Sequence, residues 1–138
     1  MTDGGFPNIN HAKNMSERIN SFRDLRVYEE ACGLDFAVFS ESKRFPKEEL
    51  YSLTDQVRRS SRSIGANIAE AWAKRRYPAH FVSKLTDSDG ELQETRHWLG
   101  RALAYGYITK QIFSGLEERC DKIGGMLGKM IQNPDNFT

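Results

Sequence analysis

At 138 residues, with 38% hydrophobic and 28% charged residues, the chain is long enough for one buried core and has the balance of a soluble globular domain. No apolar run approaches the ~18 residues that cross a bilayer, and the N-terminus lacks a basic start followed by an apolar block, so a cytoplasmic location is expected. A net charge of +1 gives no whole-chain reason to expect nucleic-acid binding, so only local charge bears on that question.

Residues 1–20 are rich in Asn, Gly and Asp and show no period, so a flexible N-terminal tail is expected there. A helical period then begins. The first helix is predicted over about residues 22–44, where Leu25, Tyr28, Cys32, Phe36 and Phe39 recur at three- and four-residue spacing. Pro46 suits the first position of a second helix, predicted over about residues 46–76. Its seam is Leu50, Leu53, Val57, Ser60, Ile64, Asn67 and Ala71, a heptad-like alternation. Pro78 opens a third helix, about 78–105, with Phe81, Leu85, Ser88, Leu92, Thr95, Leu99 and Leu103 on one stripe. Gly106 breaks it. The fourth, about 109–131, carries Ile112, Leu116, Cys120, Ile123, Leu127 and Met130 and stops before Asn133-Pro134. No segment alternates with period two, so no strand is predicted. The sum is an all-α chain: an antiparallel up-down four-helix bundle over residues 21–132, with a C-terminal tail at 133–138. Cys32 and Cys120 are too few for a disulfide framework and are expected in the core.

Catalytic signals are weak. Glu94-Thr95-Arg96-His97 is a Glu-x-x-His, a spacing that points both side chains one way on a helix. A di-iron bundle needs two such motifs and two further glutamates, and neither His11 nor His80 follows a glutamate at that spacing. "DSDGE", Asp87 to Glu91, fails as a calcium loop because its Gly90 falls early and Trp98 stands where the bidentate Glu belongs. No serine elbow or phosphate-cradling glycine loop occurs. "GGMLG", Gly124 to Gly128, lies within helical periodicity and is expected to let two helices approach closely. No enzyme activity, metal or cofactor is expected.

Charge concentrates in one place. "QVRRSSRSIGANIAEAWAKRR", Gln56 to Arg76, holds Arg58, Arg59, Arg62, Lys74, Arg75 and Arg76 against Glu70 alone. On a helical wheel its apolar residues fill an arc of about 100°, the width of a core face. Gly65, Ala69 and Ala73 form a second stripe on roughly the opposite side, and Arg58 and Arg62 continue it towards the N-terminus. Small residues there suggest a second packing partner, such as another subunit, so Gly65, Ala69 and Ala73 are candidate oligomer-interface residues. The alternative is that alanine is simply a good helix former on an exposed face. The six cations are candidate nucleic-acid contacts, because Arg forks match phosphate oxygens. The alternative is a set of solvated or intersubunit ion pairs, with the helix dipole accounting for Arg75 and Arg76.

The stretch "FPKEELYSLTDQVRRSSRSIGANIAEA", Phe45 to Ala71, resembles the signature of a bacterial four-helix-bundle family encoded by intervening sequences in large-subunit ribosomal RNA genes. "SDGELQETRHWL" is similar to that family's weaker third-helix pattern, and the resemblance covers about residues 22–131. It implies a ring-shaped homopentamer. It also implies kinship with the accessory protein of diversity-generating retroelements, which has a basic surface and associates with nucleic acid and a reverse transcriptase. The family's basic signature maps onto Arg58, Arg59 and Arg62, and its Asn-Ile-Ala-Glu part onto Asn67, Ile68, Ala69 and Glu70. Ala71 stands where the family has Gly, Ser60 and Ser61 replace an Ala pair, and Asp89-Gly90 replaces a Gly-Ser. The leading expectation is a homo-oligomer that binds RNA or DNA phosphates. The competing one is a structural or scaffolding oligomer with a protein partner.

Overall fold

The computed structural model describes residues 19–137. The tail expected over residues 1–20 therefore lies outside the described residues except for Ile19 and Asn20. Ser21 starts the fold. Its hydroxyl accepts from the Arg23 N–H at 3.1 Å, and Asp24 reaches back to the N–H of Ser21 at 3.3 Å. This capping box closes a 3-10 turn, Phe22–Asp24, after which Leu25 is extended at ψ 130°. Helix α1, Arg26–Ser42, thus begins four residues later than its periodicity suggests.

The buried stripe of α1 also differs from the predicted one. Val27, Ala31, Leu34, Val38 and Ser42 are buried, whereas Tyr28, Cys32 and Phe39 are half-buried and Phe36 is 69% exposed. Two stripes with the same spacing lie one residue, about 100°, apart. The aliphatic stripe faces the centre, and the rings flank it. Cys32 is consequently not a core residue, while Cys120 is fully buried.

The second helix starts later still. Pro46 is extended at ψ 144°, and a 3-10 turn, Lys47–Glu49, follows it. Oε1 of Glu49 accepts from the Ser52 hydroxyl at 3.0 Å and from the Leu53 N–H at 3.2 Å. That carboxylate caps α2, Leu53–Ala73, and leaves Leu50 outside the helix and 46% exposed. Leu53, Val57, Ser60, Ile64 and Ala71 of the expected seam are buried, joined by Ile68 and Trp72, whereas Asn67 is half-buried and its amide donates to the Ser63 carbonyl at 2.9 Å. Helix α3, Pro78–Ala104, has Pro at its first turn. Phe81, Leu85, Ser88, Leu92, Thr95 and Leu99 are all buried along it, and Ala102 replaces Leu103 at the end.

The stop at Gly106 is a Schellman motif. Gly106 adopts φ +80°, the N–H of Tyr107 reaches the Ala102 carbonyl at 2.8 Å, and the N–H of Gly106 reaches Leu103 at 3.0 Å. Thr109 then caps α4, Lys110–Gln132, by accepting from the Ile112 N–H at 3.1 Å. Leu116, Cys120, Ile123, Leu127 and Met130 of α4 are buried. Beyond it a 3-10 turn, Pro134–Phe137, places the Phe137 ring 6.0 Å from Phe81.

Each helix packs on the next and α4 returns to α1. Paired residues show the directions. Across α2 and α3, Thr95 meets Ser60, Ser88 donates to the Ile64 carbonyl, and Lys84 meets Glu70, so sequence numbers rise on one helix as they fall on the other. Glu30–Lys122 does the same for α1 and α4 together with Gly33 and Arg119. The arrangement is antiparallel throughout, with no strand among the described residues. The small polar residues of the α2–α3 seam are satisfied: Ser88 Oγ is 2.8 Å from the Ile64 carbonyl, and Thr95 Oγ1 is 2.8 Å from Ser60 Oγ.

Candidate nucleic-acid interface

The last turn of α1 crosses the first half of α2, and that crossing assembles a cluster of cations on one ring. Lys43 Nζ lies 4.6 Å from the centroid of Phe39, the Arg58 guanidinium 4.9 Å and the Arg62 guanidinium 5.9 Å. Arg58 is fixed further, because its Nε donates to Ser42 Oγ at 2.7 Å and that hydroxyl donates to the Phe39 carbonyl at 3.0 Å. The i,i+4 spacing puts Arg58 and Arg62 on one side of α2. Among the described residues neither forms an ion pair with a carboxylate. Arg62 does feel Asp35, whose carboxyl is pushed up by burial and drawn back by that guanidinium.

Arg59 points elsewhere. It stands 3.9 Å from Asp55 and opposes the burial and like-charge repulsion (from Glu94 and Asp87) that raise the Glu91 carboxyl on α3. Lys74, Arg75 and Arg76 lie past the end of α2, about 24 Å from Arg58 at 1.5 Å per residue. Arg75 closes the helix, its Nη1 donating to the Trp72 carbonyl at 3.0 Å while its guanidinium covers the Trp72 ring at 4.2 Å. Lys74 and Arg76 are exposed. The structure therefore groups Arg58 with Arg62, turns Arg59 towards acids, and sets the last three cations apart as a second basic spot.

The small-residue stripe has a partner within the chain. Gly65 is buried, and a Cβ there would lie 3.5 Å from the Tyr28 ring and 3.9 Å from Ala31 Cβ, both on α1. Ala69 is half-buried and Ala73 exposed. Gly65 therefore does not lie opposite the core face: α2 lies between α1 and α3 and is packed on two sides within the chain. Close approach at Gly65 needs no second subunit. Of the "GGMLG" glycines, only Gly124 meets a neighbour, with Leu92 of α3 3.5 Å from its built Cβ, while Gly125 and Gly128 face open space.

The sequence singles out neither Lys43 nor the ring of Phe39 as part of this surface. Phe39 and Lys43 are four apart on one helix, which was the available local signal. Their meeting with Arg58 and Arg62 depends on the α1–α2 crossing. Elsewhere, the Glu94 carboxylate accepts from the Trp98 indole at 3.0 Å, and His97 meets Trp98 edge-on at 4.7 Å.

A family model described as 23S rRNA-intervening sequence protein matches residues 23–129. Among solved structures, the chain is similar to the crystal structure of a protein of unknown function from the S23 ribosomal protein family of Bacteroides thetaiotaomicron. The two are 26% identical with a TM-score of 0.69, over 76% of this chain and 97% of that one. A comparison with curated proteins finds no match.

Proposed function

The chain belongs to the 23S rRNA-intervening sequence protein family, and we propose that it works without catalysis, as a homo-oligomeric four-helix bundle that holds RNA or DNA by the phosphates. The observation that supports this reading is the convergence of Arg58, Arg62 and Lys43 on Phe39, with no ion pair to a carboxylate at either arginine among the described residues. Cations anchored by a ring and a serine keep their outward N–H groups for phosphate oxygens. Such contacts position a backbone and carry little sequence information, so binding is weakly sequence-specific and strongly salt-dependent. Lys74, Arg75 and Arg76 offer a second point of attachment.

One observation favours a second reading, a scaffolding oligomer with a protein partner. Phe36, three residues before Phe39 on α1, is 69% exposed, and Tyr51, just before α2, is 91% exposed. In that case the arginines sit in subunit interfaces, in the ring-shaped pentamer that the family resemblance implies, and the partner is a protein such as a reverse transcriptase. A mobility-shift assay with structured RNA and single-stranded DNA over a salt series separates the two. Absence of a shift at low salt, or one untouched by Arg58→Ala with Arg62→Ala, removes the nucleic-acid reading. Light scattering after gel filtration tests assembly, and a clean monomer removes the oligomer.

A further inference from the structure

On the other side of α2, facing α3 rather than α1, a groove of about 460 Å³ opens between the start of α2 and the end of α3. That volume is typical of small-molecule sites. Trp98, Tyr105 and Tyr107 line it, together with Leu53, Gln56 and the carboxylate of Glu49. This carboxylate is unusually well held. Its Oε1 accepts from Ser52 Oγ and the Leu53 N–H, and its Oε2 accepts the Tyr107 hydroxyl at 2.8 Å. Three hydrogen bonds keep it ionised and consume most of its lone-pair directions.

What Glu49 retains for a ligand is charge, more than a free two-pronged acceptor. The aromatic rings offer the negative faces of their π-systems. Both features attract a compact cation that donates no hydrogen bonds; the carboxylate, with its lone pairs largely taken, offers no two-pronged acceptor to a guanidinium fork, and neither feature matches an anion. The surroundings are acidic as well, since Glu48 bears on Tyr107 and Glu94 is held by Trp98. Arg101, the cation over Tyr105 at 4.9 Å, stands outside the lining. We propose that this groove binds an alkylated ammonium ion, with Trp98, Tyr105 and Tyr107 as its walls and Glu49 as its counter-charge. The ion is either a free choline-like molecule or the side chain of a methylated lysine, which share this chemistry.

The test is a titration of the full chain with choline chloride at constant ionic strength, followed by the indole N–H resonances of Trp98 and Trp72. The expected result is a saturable shift at Trp98 with Trp72 unmoved, since Trp72 lies at the far end of α2. Choline should bind at least tenfold more tightly than 3,3-dimethylbutan-1-ol, its neutral isostere, and than guanidinium. Tyr105→Leu and Glu49→Gln should each weaken choline at least fivefold. Glu49 also caps α2, so Tyr105→Leu, at a ring already 53% exposed, decides the matter if Glu49→Gln does not fold. Equal affinity for choline and the neutral isostere, or affinity unchanged by Tyr105→Leu, overturns the proposal. A trimethyl-lysine peptide run beside choline identifies the source: tighter peptide binding assigns a protein tail, tighter choline binding a free cation, and saturation by neither overturns it.

Discussion

Glu49 and Tyr107 show how a single pair ties two distant connections together. The Glu49 carboxyl is held below its ordinary 4.5, first by the Tyr107 hydroxyl and then by Ser52 and the Leu53 N–H. The Tyr107 phenol is in turn pushed up to about 12, mainly by that hydrogen bond. The depressed carboxyl contributes stability above its ordinary value, and this is lost as pH falls through the folded one. The raised phenol contributes below its ordinary 10.0, and this is lost as pH rises through about 12. Tyr107→Phe should therefore lower the melting temperature at neutral pH, with the gap to the parent protein closing at both extremes. A gap of constant size in melts from acid to strong alkali would show that the link does not govern the effect. The cysteines separate by burial: the Cys120 thiol is pushed up to about 12, chiefly by desolvation, whereas Cys32 is only half-buried. A disulfide reagent should modify Cys32 first in the native protein, and Cys120 only on unfolding. Mass spectrometry of partly labelled chains distinguishes them, and early label on Cys120 would contradict its burial.

At the scale of the helices, glycine is spent where geometry does not demand it. Gly90 sits in the interior of α3 with nothing within 4 Å of a built Cβ, so no contact requires it. Gly90→Ala should stabilise the protein by about 1 kcal/mol, the usual difference in helix propensity, measured as a higher urea midpoint at unchanged slope. Gly65→Ala is the informative companion. Its Cβ would meet Tyr28 at 3.5 Å, an ordinary contact, so the bundle should accept it without loss of stability. A loss of more than about 1 kcal/mol there would mean that α1 and α2 need a closer approach than these distances show. The predicted helix starts failed for a related local reason. Leu25 and Pro46 adopt extended backbone, and capping by Ser21, Asp24 and Glu49 wins over an apolar period that would run on through them. The stop at Gly106 was legible because a positive φ leaves few residues to choose from.

For the molecule as a whole, the bundle was readable because the seams of α2, α3 and α4 repeat at three and four residues, and burial of such stripes admits few architectures. On α1 two stripes had the same period, and no local rule favoured Val27, Ala31, Leu34 and Val38 over the larger rings. The candidate surfaces were less readable. Arg58 and Arg62 announced themselves by charge, but Phe39 joins them only through the α1–α2 crossing, and Glu49 meets Tyr107 across 58 positions of sequence. The separation of the two basic spots carries the last expectation. Under the proposed phosphate binding, Arg58 and Arg62 would supply up to two contacts, so replacing both by Ala should flatten the slope of log affinity against log salt by about 1.4 to 1.8. Replacing Lys74 and Arg76 acts about 24 Å away, past the end of α2, and shares no partner with that cluster among the described residues, so its effect should add to the first within about 0.5 kcal/mol. Strong non-additivity in this double cycle would mean that one phosphate group, or a neighbouring subunit, brings the two spots together.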